Sequence, residues 1–406
     1  MSRRVAIVGI GLVTALGAGR DETWRRMLAG ACGIEPATLF DTEGYRCRLA
    51  AEVPMCEVDR GLSPLQRRRW SRSDRIGVRA ADEAVADAGL LDNDIDLTRV
   101  GVFLGAGTAD LIRNEDYYRT WLTAGIARAR PSAAWNHFSS TSVDVIADRF
   151  GFEGLRSCIV AACSSSTMAI GQGADAIRRG RADAVLAGGT DALARLTFSG
   201  FNGLRLMDPS PCRPFDRSRA GMNIGEGAAV LVLEDLDRAR RRRARIYAEL
   251  AGYSLGCEAF HSTAPEPEGR PVAAIVAAAL RDAGVSPADV DHVNAHGTAT
   301  PQNDTAEARG FLQLFGDRAA RLPITSIKSM IGHCLGAAGA VEAAALALTV
   351  AHGVIPPTIH HSETDPNCPV DIVANEAREQ PVRCGVSMSL GFGGNDSAIV
   401  MRALEG

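Results

Sequence analysis

The sequence predicts an α/β protein built as two duplicated halves, with sheets covered by helices on both faces. Two distant segments carry that reading. "AVADAGLLDNDIDLTRVGVFLGAGT" (84–108) sets a helix with an Asp-Ala-Gly stop before an acidic loop and an apolar strand, and "ALRDAGVSPADVDHVNAHGT" (279–298) repeats the order. Each half then has a helix of small residues, "CSSSTMAIGQGADAIRRG" in the first and "GHCLGAAGAVEAAALALTVAHG" in the second. Helices so poor in side-chain bulk suit close packing on each other rather than contact with water. Composition agrees: 406 residues, 46% hydrophobic and 23% charged, suffice for a large buried core in two or three domain-sized units. The repeat is too long for a solenoid. The join is expected near 237–254, with halves at 1–250 and 251–406.

At the N-terminus, "MSRRVAIVGIGLVTALGAG" sets Arg3 and Arg4 before an apolar run, as a secretory signal does. The chain runs straight on into an amphipathic segment, so the reading is a first buried strand, Val5 to Val8, turning at Gly9 and Gly11. Thr14 stands where GxGxxG needs its third glycine, which removes a dinucleotide fingerprint. No apolar stretch approaches membrane-spanning length without glycine or charge breaks. A net charge of −4 gives no general basic field for nucleic acid or an anionic membrane. The ten cysteines form no CxxC pair and no disulfide-like spacing, which points to a reducing cytoplasm and to no zinc site.

The residues that can carry chemistry sit on turns between strands and helices. In "RSCIVAACSSSTMAIGQG" (156–173) a β-branched run turns sharply into a helix. This puts Cys163 at a helix N-terminus, where the macrodipole and free N–H groups favour thiolate and bring a thiol down to between ~3.5 and ~7.5. The same cysteine is also readable as a small buried hydrophobe, the reading that suits Cys158 and Cys212. His296 in "NAHGTATPQND" and His333 in "IKSMIGHCLGAAG" each follow an apolar strand and precede a helix, as Cys163 does. Singly, each reads as a hydrogen-bonded structural histidine; together they mark strand ends that can converge. Among 44 lysines and arginines, only Lys328 is a lysine, and it lies five residues before His333. Either it survives by chance, or a compact ammonium is needed beside a histidine where a planar guanidinium would overfill the space. "SLGFGGNDSA" (389–398) is either a plain tight turn or one whose backbone N–H serves an oxyanion while the Phe392 ring swings as a gate.

"ACSSS", "NAHGTATP", "IKSMIGHCLGAAGAVEA" and "GFGGND" stand in one order across the chain. With them the sequence resembles a β-ketoacyl-acyl carrier protein synthase of the thiolase-fold superfamily. The resemblance implies a thiolase-like fold in a layered αβαβα arrangement, with a Cys163–His296–His333 active site. It implies decarboxylative Claisen condensation: Cys163 takes an acyl chain as a thioester, and His296 and His333 donate N–H to the malonyl thioester oxygen. The backbone N–H groups of Cys163 and Phe392 would hold the second oxyanion. Thr298, Thr300, Phe201, Glu342 and Asp304 are expected on the substrate side, the two threonines on the phosphopantetheine arm, Glu342 through the Lys328 network and Asp304 one layer back. No metal or cofactor is expected, since substrates arrive on the phosphopantetheine of acyl carrier protein.

The partners implied are acyl carrier protein and a second ketosynthase-like chain, in a homodimer or in a heterodimer with a chain-length-factor subunit. An acidic carrier needs a local basic patch on this acidic chain. Arg67, Arg68 and Arg69 in "LQRRRW" are the candidate, and the run Arg238 to Arg243 is read as structural. A non-catalytic chain-length-factor-like subunit would replace the cysteine. A thiolase-type acyltransferase would carry a second reactive cysteine in the final glycine-rich turn, where Phe392 and its neighbours supply none and Cys384 lies too early. The segment 195–234 and "PQNDTAEAR" look more like stand-alone ketosynthases of type II polyketide and aryl-polyene systems than those of housekeeping fatty-acid synthesis. Asn395 and Asp396 stand where the family often has Thr-Asn.

Overall fold

The first strand sets the frame. In the computed structural model, which describes residues 3–92, 94–108, 111–131 and 138–404, β1 (Val5–Val13) is buried along its whole length. It runs through Gly9 and Gly11 instead of turning at them. A Cβ on Gly9 would lie 2.4 Å from the Ala84 carbonyl oxygen, and one on Gly11 would lie 1.7 Å from that of Ala80, both on helix α1 (Arg72–Asp87). These glycines mark where helix backbone rests on the sheet, not where the chain turns.

The first half adds β2 (Val100–Gly105), β3 (Arg156–Ile159), β4 (Ala184–Asp191) and β5 (Gly227–Asp235). The second has β6 (Ala248–Cys257), β7 (His292–Asn294), β8 (Pro323–Thr325), β9 (Cys384–Gly391) and β10 (Asn395–Arg402). From the join outward the strands lie β1-β5-β4-β2-β3 on one side and β6-β10-β9-β7-β8 on the other, where the two-residue strand Asp371–Ile372 pairs in parallel beyond β8. In both halves the first pairing from the join and the second are antiparallel, and the next two pairings are parallel. The duplication read from the sequence is thus a duplication of topology. The halves meet where Ala6 and Ile7 of β1 pair with Glu249 and Ala248 of β6. The expected division between 250 and 251 falls inside that strand.

Alternation along the strands separates the cores. Ala6 and Val8 face a core shared with Ile76 and Ala80 of α1, while Val5 and Ile7 face a central one shared with Ile170 and Val341. Helices α2 (Ser165–Arg178) and α5 (Ala338–His352) pack against each other in that central layer, as their small residues predict. Helices α3 (Arg270–Ala283) and α4 (Pro301–Phe315) cover the outer face of the second half. The layers therefore run helix, sheet, helix, sheet, helix. By length and composition Leu335–His352 is apolar enough to cross a bilayer, yet 89% of it is buried, because it is a core helix between the two halves of the sheet.

Candidate active site

The site lies where the third strand of each half turns into a central helix. After β3, Ala162 adopts φ +50, a left-handed conformation that is costly for a residue with a Cβ. The Ser165 hydroxyl closes the corner, donating to the Ala162 carbonyl at 2.6 Å and accepting from the Ala161 N–H at 2.8 Å. Cys163 follows, buried just ahead of α2. After β8 the second half makes the equivalent turn, with Leu335 at φ +50 ahead of α5. His333 is held there like a strand residue: its N–H donates to the Asn223 carbonyl at 2.8 Å and its carbonyl accepts from the Gly225 N–H at 3.0 Å.

These corners meet. His333 Nε2 lies 3.0 Å from Cys163 Sγ, across 170 residues of sequence. His296, from the loop after β7, places its ring nearly perpendicular to that of His333, at 83° with centroids 5.3 Å apart. Hydrogen bonds assign the protons on both rings. His333 Nδ1 accepts from the Leu335 N–H at 3.3 Å, and His296 Nδ1 faces Lys328 Nζ at 3.4 Å, an ammonium that can only donate. Both rings therefore carry their proton on Nε2. Burial and then the Lys328 charge hold both imidazoles well below their usual range, so they stay neutral.

Lys328 is 1% exposed and uses its three N–H groups on the His296 carbonyl at 2.6 Å, on His296 Nδ1 and on Glu342 Oε1. Its partner is His296 and not the nearer His333 in sequence. The compact ammonium of the sequence reading is in place, since a flat guanidinium cannot aim three donors at these acceptors. Glu342 is buried with it, and burial pushes its carboxyl up to about 7 against the pull of Lys328.

The thiol departs from the sequence expectation. Burial pushes Cys163 up, to about 12, while Lys328 and the Phe392 backbone N–H work in the opposite direction. The helix start that predicts a low value is present, but so is full desolvation, which opposes the anion.

Two further residues build the site, and the sequence reading missed them. Glu307, buried on α4, accepts the His296 and Gly297 N–H groups at 2.7 and 2.6 Å and the Asn303 amide at 2.7 Å. It lies one helical turn after Asp304, which accepts the Ala299 and Phe215 N–H groups at 3.1 and 2.7 Å. Together they pin the His296 loop; the i, i+3 spacing in "NDTAE" was the available signal. Asp191, at the end of β4, accepts N–H groups from Gly107 and Gly336, each at 2.8 Å, and so ties the His333 turn to the first half. Its buried carboxyl is raised to about 6.

A buried cysteine beside two neutral imidazoles on a duplicated layered fold narrows the family, and comparison with known proteins decides it. Residues 2–239 match the family described as Beta-ketoacyl synthase, N-terminal domain, and residues 247–362 match Beta-ketoacyl synthase, C-terminal domain. The chain belongs to the β-ketoacyl synthase family. It is 37% identical over 410 residues to the 3-oxoacyl-[acyl-carrier-protein] synthase 2 of Staphylococcus aureus strain N315, covering 100% of this chain and 99% of that protein. It is 40% identical over 416 residues to the Tetracenomycin polyketide synthase ketoacyl synthase alpha subunit of Streptomyces glaucescens, covering 98% and 97%. Its fold is similar to the structure of the ishigamide ketosynthase/chain length factor, with a TM-score of 0.95, 37% identity and full coverage of both chains. As a ketosynthase it is an acyltransferase that joins carbon to carbon.

In this ketosynthase Thr298 and Thr300 line the cavity with Cys163, their hydroxyls 2.8 Å apart. Phe201 and Phe392 form one of its walls, with ring centroids 5.5 Å apart and a 35° tilt. Glu342 and Asp304, expected on the substrate side, act from behind the cavity through Lys328 and the His296 loop. Arg67, Arg68 and Arg69 are exposed on the short helix Pro64–Arg69, away from the thiol cavity. Arg68 shares a surface depression with Arg113, Arg128 and Arg130, which the sequence reading left out; "RAR" at 128–130 was the signal. Arg238 and Arg242 instead pair with buried Glu234, as the structural reading expects.

Proposed function

We propose that this ketosynthase condenses an acyl group held on Cys163 with malonyl-acyl carrier protein, giving a β-ketoacyl-acyl carrier protein. The observation that carries the reading is the pair of neutral Nε2–H imidazoles beside the Cys163 sulfur. In the first half-reaction Sγ attacks the acyl thioester, the new bond forms at the carbonyl carbon, and the carrier thiol leaves with the proton given up by Cys163. In the second, the malonyl carboxylate departs as carbon dioxide and its bonding pair passes into an enolate. His296 and His333 donate to the enolate oxygen where charge develops. The enolate carbon then attacks the acyl carbonyl, whose oxyanion meets the Cys163 and Phe392 N–H groups, and Sγ is expelled as the product forms.

The reading calls on no metal, although the ligand atoms of Cys163, His296 and His333 lie within 4.8 Å of one another; His333 turns its Nε2–H toward the thiol. Thr298 and Thr300 suit the amide-rich phosphopantetheine arm, and Phe201 the acyl chain. Arg67, Arg68 and Arg69, extended by Arg128 and Arg130, suit an acidic carrier. The likeness to both a fatty-acid-type and a polyketide-type synthase supports a place in one of these two kinds of carrier-dependent synthesis. Strand β3 closes the sheet order on an open edge followed by Val160, 62% exposed, which supports pairing there with a second ketosynthase-like chain, itself or a chain length factor. Ten free cysteines support a reducing cytoplasm. We keep the division into two functional halves near residue 250, the thiol in one and the histidines in the other. The test is a panel of acyl-carrier thioesters with intact-mass readout. Gain of the acyl mass at Cys163 is expected, and acylation mapped to another residue would overturn the reading.

A further inference from the structure

The final glycine-rich turn is flanked by two carboxyl groups. Asp396 on β10 is 2% exposed, and Glu258 follows directly after β6; both line the cavity that holds Cys163. Among the described residues neither Asp396 oxygen has a well-formed hydrogen bond to a conventional donor. The groups that bear on it are the Glu258 carboxyl, the Gly391 N–H and the charge of Glu307 from α4. Glu258 accepts the Glu266 N–H at 2.8 Å and also feels the Glu266 carboxylate, which is paired with Arg270. His261 stands exposed on the cavity rim, across from the Cys163, His296 and His333 cluster. None of the charges that bear most on the two carboxyls is positive. Backbone bonds join the same two segments: the Glu258 N–H donates to the Gly394 carbonyl and the Gly393 N–H to the Ser262 carbonyl, each at 2.8 Å.

Asp396 is buried and Glu258 half-buried, and Asp396 pairs in the β6–β10 ladder with Gly256, two residues before Glu258; two such close carboxyls resist ionising together, and a proton between them makes a strong O–H···O bond. We infer that Glu258 and Asp396 share one proton and so latch the Phe392 turn to the 258–265 loop, which makes them positioning residues for the Cys163 cavity. Burial and the Glu258 charge push Asp396 up to about 9. Loss of that proton leaves two repelling anions and loosens the turn whose N–H points at the thiol. The latch is a property of the folded chain; only its effect on turnover rests on the condensation reading.

Asp396→Asn tests it, because an amide N–H can donate to the Glu258 carboxylate without a titrating proton. A carboxyl raised in the folded state keeps a proton that the unfolded chain has lost. Stability therefore falls as pH rises from about 4 toward about 9 and levels off beyond. Between pH 6 and 8 the unfolding constant of the wild type, read from urea midpoints, should change about tenfold more per pH unit than that of Asp396→Asn. Above about pH 9 acyl transfer to Cys163 should fall in the wild type relative to Asp396→Asn. Asp396→Leu should be slower by about tenfold or more at every pH. Equal stability slopes, or an alkaline limb unchanged by the amide, would overturn the latch. A folded wild type that never acylates would instead sink the condensation reading, and the stability slopes would still decide the latch.

Discussion

After β3 a left-handed Ala162 turns the chain into α2, and after β8 a left-handed Leu335 turns it into α5. The first corner presents a thiol and the second an imidazole, 3.0 Å apart. The difference lies less in the corners than in one shared charge. Lys328, from the second half, favours the thiolate of Cys163, opposing its burial, and disfavours imidazolium on His296 and His333. A single ammonium thus works against burial at the thiol and alongside burial at the two imidazoles, which teaches that the duplicated halves became unlike through what lies behind the seam.

Removing the first corner's chemistry has the largest effect. Cys163→Ala should abolish acyl-enzyme formation, seen as no added mass with an acyl-carrier donor, while the urea midpoint hardly moves, because Ala161 and Ala162 already show that small residues suit this turn. Acylation persisting in that variant would dissolve the comparison at its root. His333→Ala strikes the second corner and should lower labelled carbon dioxide release by ~10²–10³. Some self-acylation should survive it, and equal losses in both half-reactions would mean that the corners do not divide the chemistry.

The shared charge comes next. Lys328→Arg keeps the charge but cannot meet three acceptors in the space available, so turnover should fall ~10²-fold, with ~1–3 kcal/mol of stability lost to overpacking. Wild-type turnover there would remove the ammonium from the argument. The neutral histidines add a pH test. Unfolding lets them bind protons that the folded state refuses, so stability should decline as pH drops below about 6.5, and His296→Gln should make that decline shallower in urea titrations. The smallest effect belongs outside the cavity. Changing Arg68 and Arg69 to Glu should raise the carrier KM by less than about tenfold, more weakly as salt rises, and leave a small acyl-pantetheine donor almost untouched. Equal losses on both donors would point to damage inside the cavity.

The sequence by itself determined the duplicated order of strand, corner and helix, the close packing of two small-residue helices, and the identity of Cys163, His296, His333 and Lys328. Each of these is a local pattern: a periodicity, a turn residue, or the one lysine among arginines. Tertiary structure alone decided that β1 continues through Gly9 and Gly11, because the obstacle to a side chain there is a helix some seventy residues away in sequence. It likewise decided that Lys328 serves His296, that Glu307 and Asp191 anchor the two histidine turns, that Arg128 and Arg130 join Arg68, and that Asp396 meets Glu258. The Cys163 thiol makes the division plain. A helix start, legible in the sequence, argues for a low value, and burial, which only packing supplies, carries it to about 12. Desolvation and the meeting of distant charges depend on which atoms exclude water together, and no local stretch of chain contains that information.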